Sequence, residues 1–169
     1  SHPYGEYSII NVTVPRDVEN NVTITVDGVP YSVKANTTTG IATLRLNNLS
    51  GGLHAVIASY PGDIEYDARS NSTTFTVERA STTIDVQFTT PKFVGDNVIV
   101  NVELNQKVNG TVTLHVDNNN YTVYVKNGKG SYNIGDLINK TYSISASFAG
   151  DVNFTGSASA VKHLAVNKI

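Results

Sequence analysis

Residues 22–33 read VTITVDGVPYSV, and residues 112–123 read VTLHVDNNNYTV. In both stretches apolar residues alternate with polar ones, reach an Asp-containing turn, and then alternate again. Such a pattern is typical of two half-buried antiparallel strands joined by a tight hairpin. The stretches lie 90 residues apart, so one hairpin occurs twice in the chain.

The similarity extends well beyond the hairpin. Residues 5–40 align with 95–130 without a gap, and after a two-residue deletion ASYPGD (58–63) aligns with ASFAGD (146–151). The length of 169 residues alone would predict one domain. The internal repeat instead predicts two copies of one fold, with boundaries at 1–79 and 80–169.

Composition and strand spacing predict an all-β fold. The chain has 19 Asn and 33 Ser plus Thr, but only five Glu. We expect two tandem immunoglobulin-like Greek-key β-sandwiches without long helices. The second copy is predicted to contain seven strands, near 82–88, 97–104, 111–117, 121–126, 129–134, 141–149 and 157–167.

Alternation also predicts which side chains form the two cores. The expected core residues of the first copy are Val22, Ile24, Val26, Val56, Ala58 and Tyr60. Their counterparts in the second copy are Val112, Leu114, Val116, Ile144, Ala146 and Phe148.

The two copies differ at their start. The second opens with Thr82–Phe88, whereas only four residues precede Gly5 in the first. We therefore expect the first copy to lack its initial strand in this chain, either because of an arbitrary fragment boundary or because another segment supplies that edge. Tyr7–Val14 would then have one neighbour fewer than Asn97–Leu104, and pairing of this edge with another chain is expected.

Several classes of function are excluded or disfavoured. The absence of Cys excludes disulfides, thiol nucleophiles and Cys-ligated metals. A net charge of −2 gives no basic footprint for nucleic acid, and no apolar run approaches the roughly 20 residues needed to cross a bilayer. The four His have no metal-site spacing, and no catalytic or nucleotide-binding motif occurs. We expect a non-enzyme with no cofactor and no direct membrane insertion.

One acidic cluster is a candidate metal site. Asp63, Glu65 and Asp67 alternate along an extended segment, which places carboxylates on one side, and Ca²⁺ prefers such oxygen ligands. The second copy keeps only the first acid. The alternative is a tight turn after Gly62 in which the Asp63 side chain accepts hydrogen bonds from nearby backbone N–H groups.

Asn-x-Ser/Thr sequons are unusually frequent. Nine occur, whereas composition predicts roughly four. Asn- and Thr-rich β proteins also generate sequons incidentally, so both explanations stay open; either way an extracellular protein is favoured. The candidate glycosylation sites are Asn11, Asn21, Asn36, Asn48, Asn71, Asn109, Asn120, Asn139 and Asn153.

These residues carry a family resemblance. Each copy has Val-x-Val, a turn and Tyr-x-Val, followed later by Ala-x-Tyr/Phe-x-Gly-Asp-x-x-Tyr/Phe. This pattern resembles the bacterial-type Ig-like repeat found in tandem in large surface proteins, especially adhesin-like proteins of methanogenic archaea. The first copy departs from it where His54 replaces the usual Tyr. The resemblance implies a cell-surface stalk or adhesin module and supplies no catalytic residues.

Two hypotheses of function remain. In the first, the tandem is a stiff stalk, because the joint Glu78–Thr82 between the copies lacks Gly and Pro. Its partners, which are other cells, surface proteins or glycans, are then reached through the parent protein. Neither copy should then hold a deep apolar pocket of about 300–1,000 Å³. The alternative is a carbohydrate- or protein-binding module of a secreted protein, for which Tyr124 and Tyr132 are the aromatic candidates.

Overall fold

The computed structural model describes residues 1–169, which form strands, turns and loops but no helix. The chain divides into two compact units, Ser1–Ala80 and Ser81–Ile169. The predicted all-β, immunoglobulin-like fold is confirmed, because both units consist of two β-sheets in which the strands common to the two units lie in the same order. No helix capable of crossing a membrane is found.

The first unit contains a five-stranded sheet, β1-β7-β6-β3-β4, and a two-stranded sheet, β2-β5. Its seven strands are β1 (His2–Pro3), β2 (Ser8–Thr13), β3 (Val22–Val26), β4 (Val29–Val33), β5 (Ile41–Leu46), β6 (Gly52–Tyr60) and β7 (Arg69–Glu78).

The second unit repeats this plan with sheets β12-β11-β14-β16-β9 and β13-β10-β8, and β15 pairs with β14. Its nine strands are β8 (Ile84–Gln87), β9 (Lys92–Phe93), β10 (Val98–Leu104), β11 (Gly110–Val116), β12 (Asn119–Val125), β13 (Lys129–Ile134), β14 (Lys140–Phe148), β15 (Ser157–Ala158) and β16 (Lys162–Asn167).

The hydrophobic core lies where the alternation placed it. Of the twelve predicted core residues, eleven are buried, with Ile24, Leu114 and Ile144 at 0% exposure. The exception is Ala58, which is half-buried although its counterpart Ala146 is 1% exposed. The difference arises because β8, which packs against β14 in the second unit, has no counterpart in the first unit.

The predicted hairpin is present in both units. Val26 pairs with Val29 across a two-residue loop, and Asp27 and Gly28 both have positive φ (50° and 85°), as a type I′ turn requires. Asp117 adopts the same φ of 50° in the second unit. The positive-φ Asp at the first position of the turn is therefore repeated together with the strands.

One detail of the repeat alignment is wrong. The ungapped alignment matches Gly40 with Gly130, but the backbone N–H of Val14 donates to the Gly40 carbonyl and that of Leu104 donates to the Gly128 carbonyl, both at 2.7 Å. Gly40 therefore corresponds to Gly128. The two-residue deletion lies before this glycine because the preceding loops differ in length.

The first unit lacks the initial strand, as expected. No strand of the first unit corresponds to β8, and β2 pairs only with β5, whereas β10 pairs with both β13 and β8. A second segment is present: β1 pairs in parallel with β7, as β9 does with β16. His2 and Pro3, for which no strand was predicted, form this short bridge.

Candidate functional site

The first unit has an open groove on the side of β2 that faces no strand. Its volume is about 940 Å³, and its floor includes Val22, Val56 and Ala58, between β2 on one side and the start of β7 on the other. We expected no deep apolar pocket from the sequence; this groove has a volume in that range, but it is open and its lining includes the polar residues Glu65, Asp67 and Arg69. The physical reason is the missing counterpart of β8, which leaves the interior uncovered.

Equivalent apolar side chains differ in exposure between the units. Val100 and Val102 of β10 are 0% and 1% exposed, whereas their counterparts Ile10 and Val12 of β2 are half-buried. These residues were not among those of the predicted core, and a groove lined by them was not predicted. The signal available was the absent counterpart of Thr82–Phe88.

In the second unit β8 fills the equivalent place. Ile84 and Val86 are 6% and 0% exposed and pair with Leu104 and Val102. Lys162 holds the strand from the far side, since its Nζ donates to the Val86 carbonyl at 2.6 Å and lies 3.1 Å from the Asp85 carboxylate. In the second unit β8 thus occupies the place that is an open groove in the first unit.

The first unit contains a buried histidine, His54. His54 is 6% exposed, its Nδ1 lies 2.5 Å from Asp27 Oδ2, and its Nε2 lies 2.6 Å from the Ser50 carbonyl. Because both partners are acceptors, both ring nitrogens carry protons. Burial opposes this charge, but the hydrogen bonds to Asp27 and Ser50 outweigh it and raise the pKa of His54.

The acidic segment 63–67 forms a turn. Asp63 Oδ1 accepts the backbone N–H groups of Glu65 and Tyr66 at 2.8 Å, and Oδ2 accepts the Tyr60 hydroxyl and the Glu19 N–H. The Tyr60 hydrogen bond is the main cause that lowers the pKa of Asp63 to about 2.

The second unit makes the same turn, with Asp151 Oδ1 accepting two backbone N–H groups at 2.8 Å. The three acids Asp63, Glu65 and Asp67 are not brought together as a group of metal ligands, and no other cluster of three such residues occurs. Glu65 and Asp67 are exposed. The geometry is that of the alternative considered from the sequence, a backbone-binding turn.

Most sequon asparagines lie on the surface. Eight of the nine are exposed, and Asn153 is half-buried. Asn21 uses its Nδ2, the atom that a glycan would modify, to donate to Ser32 Oγ at 3.1 Å. Asn11 accepts the Thr43 hydroxyl through Oδ1 at 2.7 Å, which leaves its Nδ2 uncommitted.

The two aromatic candidates for a sugar platform are dissimilar. Tyr124 is 79% exposed, whereas Tyr132 packs against Tyr121 with ring centroids 4.9 Å apart. The rings of Tyr124 and Tyr132 therefore do not stack on each other.

No protein-family model matches the chain, and no curated protein matches it in sequence. Among solved structures it is similar to dimeric latent PorU from Porphyromonas gingivalis, with 16% identity and a TM-score of 0.44, over 99% of this chain and 19% of that one. It is also similar to the fibronectin(III)-like modules of Clostridium thermocellum CbhA, with 12% identity and a TM-score of 0.41, over 99% of this chain and 89% of that one.

A third similar structure is a chimeric titin Z1Z2-Z1Z2 tandem, with 13% identity and a TM-score of 0.34, over 99% of this chain and 93% of that one. With identities this low and TM-scores below 0.5, none of the three supplies a function. The functional conclusions therefore rest on the residues of this chain.

Proposed function

We propose that this chain is a non-catalytic, extracellular spacer module of a cell-surface adhesin. The observation that carries the proposal is the repetition of one sheet arrangement in two successive units. A repeated fold without a repeated constellation of reactive side chains is suited to length and spacing rather than to catalysis.

The connector supports a spacer. Only residues 79–83 separate β7 from β8. Within this segment, Thr82 donates its hydroxyl proton to the Thr155 carbonyl at 2.8 Å, and the backbone N–H of Thr83 donates to Asn105 Oδ1 at 2.8 Å. Because its last two residues are held by the second unit, the connector has little slack.

Location outside the cell is supported by the surface. Exposed sequons suit a glycosylated protein, and the absence of Cys leaves no thiol to be oxidised. The adhesin role is supported by the resemblance to adhesin-like archaeal repeats. Contacts with other cells, surface proteins or glycans are then made through the parent protein, with no role for nucleic acid and no cofactor.

The stiffness of the connector is testable because the chain has no native Cys. Spin labels are attached to Lys34→Cys and Lys126→Cys, both at exposed positions, and their distance distribution is measured by pulsed electron resonance. A narrow distribution is expected. The matched control carries Gly-Ser-Gly-Ser inserted after Arg79, and an equally broad distribution in both proteins would refute the stiff spacer.

The competing function is a ligand-binding module of a secreted protein. A carbohydrate ligand is disfavoured, because Tyr132, the second aromatic candidate, stacks on Tyr121 and not on the exposed Tyr124. Glycan-array binding by the chain alone, lost in Tyr124→Ala, would support the carbohydrate version and contradict the spacer.

A further inference from the structure

We propose that Asn36 is the glycosylation site of the folded protein, modified in preference to the other eight sequon asparagines. The donor belongs to the class of oligosaccharides linked through their anomeric carbon to a lipid phosphate. This inference rests on the proposed extracellular location. Its structural basis is the place of the Asn36 sequon in the fold, the hydrogen bonds that Asn36 makes, and the way in which the other sequons are held.

The Asn36 sequon lies wholly in an exposed loop. Asn36, Thr37 and Thr38 lie between β4 and β5, and all three residues are exposed. A transferase must take a short peptide segment into its own cleft, and surface loops outside β ladders are the segments that meet this need. None of the other eight sequons has all three residues exposed and outside the strands.

The hydrogen bonds of the loop leave the reactive nitrogen free. Asn36 Oδ1 accepts the backbone N–H groups of Thr38 at 2.8 Å and of Thr39 at 3.3 Å. The backbone N–H of Asn36 donates to the Ile41 carbonyl, and its carbonyl accepts the Gly40 N–H. Nδ2 is the one polar atom of Asn36 without a partner. The oxygen therefore holds the side chain in place while the nitrogen stays available to a sugar donor.

Asn48 is the matched comparison, because its sequon also lies outside the strands. Leu49, the middle residue, is half-buried and packs against the core of the first unit. The Ser50 carbonyl lies 2.6 Å from Nε2 of the buried His54. Presenting this segment to a transferase would pull Leu49 from the core and break the contact with His54.

The remaining seven sequons overlap the strands or the core. Six of them include at least one strand residue. In the seventh, which begins at Asn153, the middle residue Phe154 is 7% exposed. Asn21 in addition commits its Nδ2 to Ser32. Reaching these asparagines requires strand pairs to separate or the core to open, which occurs only in locally unfolded states.

The loop that carries Asn36 is longer than its counterpart in the second unit. Residues 34–40 separate β4 from β5, whereas only residues 126–128 separate β12 from β13. The Asn36 sequon therefore has no equivalent in the second unit. A glycan at this site would distinguish two otherwise similar repeats.

The reaction is a substitution at the sugar. Asn36 Nδ2 attacks the anomeric carbon of the donor, and the new C–N bond forms as the C–O bond to the lipid phosphate breaks. The lipid phosphate leaves with the electron pair of the broken bond, and the amide gives one proton to a base of the transferase. The exposed Thr38 supplies the hydroxyl by which a sequon is recognised.

The test measures initial rates of glycan transfer to the folded full chain. It uses a single-subunit oligosaccharyltransferase that requires only Asn-x-Ser/Thr, with its lipid-linked oligosaccharide, and mass spectrometry places each glycan. Transfer at Asn36 should be at least about tenfold faster than at any other sequon, because local opening must precede transfer elsewhere. Thr38→Val removes the sequon hydroxyl but keeps the hydrogen bonds of Asn36, and should abolish this transfer. Thr37→Val, at the middle position, should leave it unchanged.

Two synthetic peptides separate the effect of the fold from that of the sequence. Residues 31–43 and 43–55 carry the sequons of Asn36 and Asn48 without the fold. We expect both peptides to accept the glycan. In the folded chain, transfer to Asn36 should persist and transfer to Asn48 should be lost.

Two outcomes would overturn the assignment of Asn36. The first is no transfer to Asn36 of the folded chain by an enzyme that modifies the 31–43 peptide. The second is transfer to Asn48 or to a strand sequon of the folded chain as fast as to Asn36. Neither outcome touches the stiff spacer, whose spin-label distances are measured on the unmodified chain. A broad distance distribution would in turn refute the spacer and leave the glycosylation site standing.

Discussion

Nδ1 of the buried His54 lies 2.5 Å from Oδ2 of the exposed Asp27, and this pair fixes the hairpin of the first unit to β6. Asp27 Oδ1 also accepts the Ala55 N–H at 2.8 Å. In the second unit Asp117 accepts the Ser143 N–H in the same way, but its cation is Lys140, at 2.7 Å. The equivalent turn aspartates of the two units, Asp27 and Asp117, are thus paired with different cations, His54 and Lys140.

The His54–Asp27 pair predicts a pH dependence confined to the first unit. A raised folded pKa of His54 gives a stabilisation that is complete below the unfolded value of about 6.5 and is lost as pH rises through the folded pKa. Calorimetry of the full chain should therefore show the first unit melting at lower temperature at pH 9 than at pH 6.

The control for this dependence is a pair of matched substitutions. Asp27→Asn removes the charge but tolerates the positive φ, and should flatten the pH effect. Asp117→Asn should leave it intact, because the pKa of its partner Lys140 is raised from an already high value. Equal pH dependence in wild type and Asp27→Asn would show that another group is responsible.

Phe148→Ala should strongly destabilise the second unit. The ring is 6% exposed, and truncation of a buried aromatic side chain costs about 3–5 kcal/mol. This approaches the whole stability of a small domain, about 5–15 kcal/mol. Denaturant unfolding measures the loss, and Tyr124→Ala, at a 79% exposed site, is the control with an expected change within about 0.5 kcal/mol. An unchanged midpoint for Phe148→Ala would place the ring outside the core.

Lys162→Met should loosen β8. The substitution keeps the aliphatic stem but removes the 2.6 Å hydrogen bond to Val86 and the ion pair with Asp85. Because the ammonium is partly exposed, we expect a loss of about 1 kcal/mol in the second unit. Faster exchange of the β8 amides should accompany it. Lys168→Met, at an exposed terminal position, should have no effect, and a similar loss in both variants would argue for a general charge effect.

Calcium should not stabilise the first unit. Both oxygens of Asp63 already accept hydrogen bonds, three of them from backbone N–H groups, so a cation would have to displace them. Melting in 5 mM calcium and in chelator should therefore coincide, in wild type and in Asp67→Ala alike. A rise in melting temperature with calcium that Asp67→Ala removes would establish the metal site at Asp63, Glu65 and Asp67.

Local patterns in the sequence were sufficient to predict most of the strands of the fold. Alternation identified the strands that carry Val22–Val26 and Val112–Val116, and the Asp-containing turn identified their hairpins. The parallel bridges formed by His2–Pro3 and Lys92–Phe93 could not be predicted, because two-residue pairings leave no periodic signal.

The groove was predictable only in part. The sequence indicated that β2 lacks a neighbour, but the burial of a residue depends on what covers it. Ala58 and Ala146 are both followed by Ser and both lie two residues after a β-branched apolar residue, Val56 or Ile144, and yet differ in exposure. The His54–Asp27 pair could not be predicted from the sequence either, because 27 residues separate its members.

Hydrogen exchange at matched amides tests the open edge of β2 most directly. In the full chain, the amides of Asn11 and Thr13 should exchange rapidly while those of Ile10 and Val12, which face β5, stay protected. In β10 the amides of Asn101 and Glu103 should be as well protected as those of Val100 and Val102, since β8 covers them. Slow exchange of Asn11 and Thr13, equal to that of their counterparts, would contradict the open edge of β2.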